Sequence, residues 1–467
     1  MKALEPARGF WRVFVILFCA FSWAWPAFAD LGMSLGFGSR TQSLGGASVA
    51  WGFDGYASYD NPAALSLREG EHADKNWALS WGLIVAQPSF LSIDNVVTQN
   101  TFTSSSVTMG SVDTNYKATF GQEFGISWHV FPDFLNLSAG ATVYFPMNQV
   151  AYMDSGEELI PEYFLYREAG QNPQIELGVG ADLGRGFHVG AGIHYAFALT
   201  STTNANIQSI SGTGSTLRFA ASMAPKAAPY LGFLFAPKSN PDLYSFGAVL
   251  RFPVTYNNTL NINTSAGLAP PISTIPLNFE ATSAMLYDPM ELELGTSWKV
   301  FSWTRAFAEI DYQAWSNYQL PALNIQNQNP PTGVIIASSP NFSYAFQDIW
   351  VPRLGEEFYL SRVATFRLGY AYVPSVLSGL PTGTGNYLDP SQHMINAGFG
   401  FRFKHLLWWD APFQADFNFL FDKLITQSIW KSPGDEGGNA SDPKIGSPGY
   451  DAGGFVLGGG VTLSLVF

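Results

Sequence analysis

Beyond residue 75 the chain alternates apolar residues with small or polar ones at a period of two. In 77–85, Trp77, Leu79, Trp81, Leu83 and Val85 share one face, and Ala78, Ser80, Gly82 and Ile84 share the other. In 120–130, Phe120, Phe124, Ile126, Trp128 and Val130 oppose Gly121, Glu123, Gly125, Ser127 and His129. In 187–199, Phe187, Val189, Ala191, Ile193, Tyr195, Phe197 and Leu199 oppose His188, Gly190, Gly192 and His194. In 413–421, Phe413, Ala415, Phe417, Phe419 and Phe421 oppose Gln414, Asp416 and Asn418. Successive side chains of a strand point to opposite sides, so each stretch reads as a strand with one greasy face.

Fourteen such stretches start near 77, 117, 135, 173, 187, 226, 244, 290, 305, 348, 363, 392, 412 and 454. They run about 9–15 residues, enough to cross a bilayer when tilted, whereas globular strands average about five or six. Long gaps (87–115, 150–172, 200–225, 257–289, 317–347, 374–391, 425–453) alternate with short ones (131–136, 183–186, 237–242, 300–304, 360–361, 404–411). Short turns on one side and long loops on the other are the outer-membrane arrangement. Lipid satisfies no open sheet edge, so such a sheet has to close. The predicted fold class is therefore all-β: a transmembrane antiparallel β-barrel of about fourteen strands, occupying 76–467, with both ends on the periplasmic side. Trp303, Trp408 and Trp409, in short turns, fit an aromatic girdle at the membrane interface. The last strand, Val461-Thr-Leu463-Ser-Leu465-Val-Phe467, keeps apolar residues at every second position and ends on Phe, like the signal read by the barrel assembly machinery.

The first 75 residues do not alternate. Lys2, Arg8 and Arg12 precede the apolar run Val13 to Ala24, and Ala27-Phe28-Ala29 offers an A-x-A site before Asp30. This predicts a signal peptide over 1–29, cleaved after Ala29, and export to the outer membrane of a Gram-negative cell. The single cysteine, Cys19, leaves with it, so the mature chain has no disulfide and no thiol chemistry. Residues 30–75 are rich in Gly, Ala and Ser. Asn61 suits a helix cap and Pro62 the first helical position, where no N–H is needed. A fourteen-strand barrel is too wide for its own side chains to fill. A tightly folded plug, or hatch, of this length would fill it.

Composition narrows the function. Charged residues are 13% against about 25% in ordinary globular chains, and the net charge is −13. An acidic balance argues against a nucleic-acid partner, which calls for basic stripes.

Gly45-Gly46-Ala47 followed by Asn61-Pro62-Ala63, then Asp311-Tyr-Gln-Ala-Trp315-Ser316 and Phe366-Arg367-Leu368-Gly369-Tyr370-Ala371-Tyr372, occur in this order on the strand pattern. In these elements the chain resembles the FadL family of outer-membrane transporters for long-chain fatty acids and hydrophobic hydrocarbons. It departs from the family at Ala64, where Gly is usual after the NPA triplet. The resemblance implies a barrel plugged by an N-terminal hatch whose motif residues are Gly45, Gly46, Ala47, Asn61, Pro62 and Ala63. Extracellular loops collect a hydrophobic ligand, which passes to a lumenal pocket and leaves when the hatch shifts or through the wall, driven by its own gradient. Two alternatives remain open: a FadL-like barrel with a structural or secretion-partner role, and a general porin.

The long loops are apolar for exposed segments. Leu159, Ile160, Tyr163 and Phe164 form a candidate ligand-capture loop, with Leu165 beside them, and packing of the long loops on one another as a lid is the other, compatible reading. Further clusters fall at Leu260, Ile262, Leu268, Ile272, Ile275 and Leu277, and at Val334, Ile335 and Ile336. The alternation puts Glu123, His129, Glu176, Asp182, His188, His194, Arg251, Glu309, Asp311, Arg367 and Asp416 inside. Of these, Arg251 and Arg367 are candidate contacts for a ligand carboxylate, and pairing with lumenal acids is the other use for each. No catalytic residue, metal site or cofactor is expected: the chain has no HExxH or P-loop pattern. The expected partners are a hydrophobic small molecule, outer-membrane lipid and the barrel assembly machinery, with the chain itself a monomer.

Overall fold

The computed structural model describes residues 36–466 except 53, 68–75, 101–106, 132, 148–158, 168–172, 207–215, 238–242, 267–274, 319–323, 328–343, 404–411 and 432–443. The signal peptide, Trp408, Trp409 and the cluster at 334–336 lie outside the described residues.

Fourteen strands form the wall: β1 (Trp77–Phe90), β2 (Thr119–Phe131), β3 (Leu137–Pro146), β4 (Gln174–Gly184), β5 (Phe187–Asn206), β6 (Thr216–Phe235) and β7 (Tyr244–Arg251). They continue as β8 (Glu291–Phe301), β9 (Thr304–Gln313), β10 (Ile349–Tyr359), β11 (Ala364–Val373), β12 (Gln392–Phe403), β13 (Phe413–Trp430) and β14 (Gly449–Val466). Each pairs antiparallel with its neighbours in sequence, and β14 returns to β1 in register from Ala78↔Val466 to Phe90↔Gly454. The ring is closed and no strand of it has a free edge. An even number of strands is what lets first and last meet antiparallel.

The greasy faces turn outward. Val85, Ile126, Val179, Ile193, Leu231, Leu294, Leu354, Ile395 and Phe419 are all exposed, while Ser80, Glu123, Thr142, Glu176, Asp311 and Arg367 on the opposite faces are buried. A water-facing wall would invert this order; a lipid-facing one requires it. Around the short turns, Trp77 stacks on Trp128 at 4.8 Å and Phe301 on Trp303 at 5.5 Å, giving the aromatic girdle its members there.

Two departures from the sequence pattern concern the outer ends of the strands. β6 begins at Thr216 rather than near 226, because it stays paired with β5 from Phe187↔Phe235 out to Asn206↔Thr216. The gap 257–289 is also largely strand: Val254–Ala266 and Ile275–Asp288 pair as a hairpin that prolongs β7 and β8. Apolar periodicity marks the part of a strand that lipid covers. Backbone pairing continues beyond that part without needing a greasy face.

Residues 36–67 touch all fourteen strands from within. They comprise α1 (Ser39–Ser43), α2 (Ala57–Asp60) and a 3₁₀ turn, Pro62–Ser66. The wall admits them because it carries glycine where they approach. A Cβ built at Gly190, Gly247 or Gly369 overlaps the backbone of Ala63, Val49 or Gly45 respectively. Gly125 meets the Gly55 carbonyl in the same way, and Gly398 meets Ser43. The small-residue faces seen in the sequence are thus the docking surface of the N-terminal segment. Gly369→Val is expected to leave the barrel closed but unseat this segment. Trypsin should then cut after Arg40, which in the parent is half-buried in the lumen and paired with Glu357; persistent protection of Arg40 in a variant with normal gel mobility would show the contact to be dispensable.

Candidate functional site

The floor of the lumen is built around Asn61. Its backbone is extended, and its side-chain oxygen accepts a hydrogen bond from the Ala63 N–H at 3.0 Å, capping the turn that Pro62 begins. Its amide nitrogen donates to the Val49 carbonyl at 2.8 Å and to the Phe233 carbonyl on β6 at 3.0 Å. One side chain therefore caps a turn, ties two parts of the segment together and pins both to the wall. Gly45 and Gly46 end α1 with φ of 70° and 84°, a conformation that favours glycine. Arg353 donates to the Gly45 carbonyl at 3.0 Å, and Ala47 is buried beside Leu44, Trp51 and Phe307.

Charged side chains seat the segment. Arg40 reaches from α1 to Glu357 on β10 at 2.9 Å. Glu357 also holds Arg367 at 2.8 Å, and Arg367 contacts Asp416 at 2.6 Å. The Arg40–Glu357–Arg367–Asp416 chain is almost wholly buried. On the other side, Arg251 pairs with Glu293 at 2.9 Å and Glu291 at 3.6 Å, donates to the Tyr59 carbonyl at 2.5 Å and lies over the Tyr59 ring at 4.3 Å. Arg305 stacks on Trp51 at 3.8 Å. Both candidate carboxylate contacts, Arg251 and Arg367, thus stand at the floor and are already engaged by acids of the wall. The remaining inward residues behave similarly: Glu123 accepts from Gly38 and Gln42, His188 meets Ser66, and His194 is clasped between Glu176 and Asp288. Among the described residues no cluster is arranged to hold a metal ion.

Between the segment and the wall lies a cavity of about 20 Å³, lined on one side by Ser48, Tyr59 and Asp60 and on the other by Glu291, Glu309 and Asp311. A space of this size holds roughly one water molecule. Burial, with Asp54 nearby, pushes the Asp60 carboxyl up to about 8, although Ser48 and Thr41 hydrogen-bond to it.

The roof is aromatic. The proposed capture loop does not stand out in water; it folds inward. Tyr163 stacks on Phe90 at 4.0 Å, and its hydroxyl meets the Gly453 carbonyl at 3.1 Å. Phe164 opens a short helix, α3 (Phe164–Arg167), and stacks on Tyr387 at 5.1 Å. Tyr318, Tyr344, Phe346, Trp315 and Tyr287 complete that second cluster. Leu159 and Ile160 are half-buried, and the Leu159 carbonyl is held by Asn386 at 2.5 Å. The sequence left open an exposed binding patch and loops packed on one another as a lid; in the structure the rings bury one another, because each loop supplies the apolar cover for the next. For the cluster at 260–277, side chains lie outside the described residues. Sequence reasoning missed Phe90, Tyr116 and Tyr387, whose roles depend on contacts between distant loops. It also missed Glu291 and Glu293, although their spacing of two on β8 was a usable signal.

No family model matches the chain. Alkane uptake protein A of Marinobacter nauticus is 23% identical over 385 residues, covering 79% of this chain and 78% of the relative. The crystal structure of a Pseudomonas aeruginosa FadL homologue superposes with a TM-score of 0.58 at 14% identity, covering 95% of this chain and 98% of that one. The Pseudomonas putida toluene transporter TodX gives 0.52 at 13% identity, with 93% and 99% covered. The resemblance read from the sequence is thus met at the level of the fold, and a barrel of this type resides in the outer membrane of a Gram-negative bacterium.

A carboxyl whose pKa is raised on folding stabilises the folded state fully below its unfolded value of 3.8 and loses that contribution as pH rises through about 8. Denaturant titrations between about pH 4 and pH 9 should therefore show docking of residues 36–67 weakening toward alkaline pH, with the slope reduced in Asp60→Asn. An identical pH slope in the variant would assign the dependence to other groups.

Proposed function

From this FadL-type barrel we propose passive uptake of hydrophobic small molecules, long-chain fatty acids or hydrocarbons, across the outer membrane, with residues 36–67 as the hatch. The observation that carries the reading is the vertical arrangement. An aromatic roof built from inward-folded loops stands over a lumen whose floor is closed by a separate segment. Roof residues such as Tyr163 and Phe164 give a greasy molecule a surface of rings in place of water, worth about 0.5–1.5 kcal/mol per aromatic pair beyond simple burial. On this reading transport runs down the ligand's own gradient. Release requires the hatch to leave its glycine seat, which makes Asn61 and the Arg40–Glu357 pair the contacts to be broken.

The names of the relatives, an alkane uptake protein and a toluene transporter, support the same reading, and neither name denotes an enzyme. A general porin needs an open aqueous path, and residues 36–67 occupy the space where it would run. A partner-binding role predicts a co-purifying protein and no uptake. Lipid surrounds the apolar belt, the barrel assembly machinery inserts the chain, and the monomer is the working unit.

Cells producing the protein should accumulate labelled hydrocarbon or fatty acid faster than cells lacking it, with little ion conductance in planar bilayers. Phe164→Ala is expected to lower the initial uptake rate about three- to tenfold, the kinetic equivalent of one lost stacked pair, while the barrel's gel mobility is unchanged. Equal rates with and without the protein would remove the transport reading; a large steady conductance would favour the porin.

A further inference from the structure

The interior is strongly and one-sidedly acidic. Among the described residues twelve Asp or Glu are buried, against four Arg or Lys. The buried cations are moreover engaged. Arg367 is shared by Glu357 and Asp416, and Arg353 faces Asp311 at 3.6 Å. The half-buried Arg251 is shared by Glu293 and Glu291, and its Nη1 alone lacks a hydrogen-bond partner. Arg305 lies against Trp51 and donates to Ser297, and Lys431 is held by the carbonyls of Pro381, Gly383 and Gly385.

Two further acids stand beneath the aromatic roof. Asp422 and Asp389 are buried, and Asp389 accepts from the Val376 N–H at 2.6 Å. Tyr166, from the roof loop, hydrogen-bonds to Asp422. Lower down, the oxygens Asp60 Oδ1, Glu291 Oε1 and Asp311 Oδ1 have no hydrogen-bond partner. At alkaline pH, where burial no longer keeps Asp60 and Asp389 protonated, a carboxylate entering here would lose its water, find the buried cations engaged and meet like charge at both levels. Burying an unpaired ion costs several kcal/mol, whereas an uncharged chain loses nothing by the same move.

We propose that, with its buried carboxyls ionised, the lumen rejects anionic head groups electrostatically and selects uncharged hydrocarbons over carboxylates of equal chain length. This rests on the uptake reading and narrows it to a substrate class. Arg251 and Arg367, on this view, position the hatch and bind no ligand.

The test is equilibrium binding of tritiated methyl laurate and tritiated laurate to the full chain in one nonionic detergent. It is run at about pH 9, where a carboxylic acid is ionised. The ester should bind tighter by about tenfold or more. In the double variant Asp389→Asn, Asp422→Asn, which keeps one acceptor oxygen at each position, the ratio should fall toward unity. Equal or tighter binding of laurate overturns the inference and leaves the uptake reading standing. A preference for the ester that the double variant does not change overturns its electrostatic origin. Binding of neither molecule removes the uptake reading and this inference with it.

Discussion

The closed ladder of backbone hydrogen bonds is the constraint from which the rest follows. A bilayer offers no partner to a free N–H or C=O, so β14 must pair with β1 along its length, from Ala78↔Val466 to Phe90↔Gly454. Closing at fourteen strands leaves an interior too broad for wall side chains to fill. The chain fills it with its own N-terminal segment, and this in turn dictates small residues wherever backbone meets backbone. The glycines at 190, 247 and 369 are therefore consequences of closure, two steps removed. They make one face of each strand small and leave the other free to be greasy.

That chain of consequences explains what was legible beforehand. Every strand of the wall was readable because a lipid-facing strand has to alternate, and alternation survives in one dimension. The cap at Asn61 and the proline after it were readable because a turn's hydrogen bonds are local. The roof was not. Tyr163 on Phe90 and Phe164 on Tyr387 join residues far apart in the chain, and nothing local marks which loop covers which. The same holds for the ions. Alternation put Arg367 and Asp416 inside, but that Glu357 links Arg367 to Arg40 of the N-terminal segment is a fact of the folded ring alone. The strand ends at Thr216 and Val254–Ala266 were blurred for another reason: paired backbone outside the membrane has no greasy face to betray it.

The buried ions invite a reading as stabilisers, and the energetics argue otherwise. Taking two charges out of water costs about as much as their attraction returns, so a buried pair is weak support for stability but strict about position. Arg40 can meet Glu357 in one placement of α1 only, and Arg251 meets Tyr59 both by its carbonyl and by its ring in one placement of α2. The ion pairs thus specify the register of the N-terminal segment in the ring, while the glycine contacts and buried apolar residues such as Phe37, Leu44 and Leu65 supply the adhesion.

Roof and floor are consequently held by different forces, and a greasy ligand acts on them unequally. Aromatic rings that cover one another can exchange those contacts for a hydrocarbon at little cost, since apolar area stays buried throughout. The floor has no such exchange. A hydrocarbon arriving above Tyr59 offers nothing to Arg40, Glu357 or the Asn61 amide, so it cannot replace what holds them. Its leverage would fall on the apolar contacts between the N-terminal segment and the wall: Phe37, Tyr56 and Tyr59 against Ile84 of β1 and Tyr144 of β3. On the proposed uptake reading a ligand that competed for them would loosen α2 first, and α2 leads directly into Asn61.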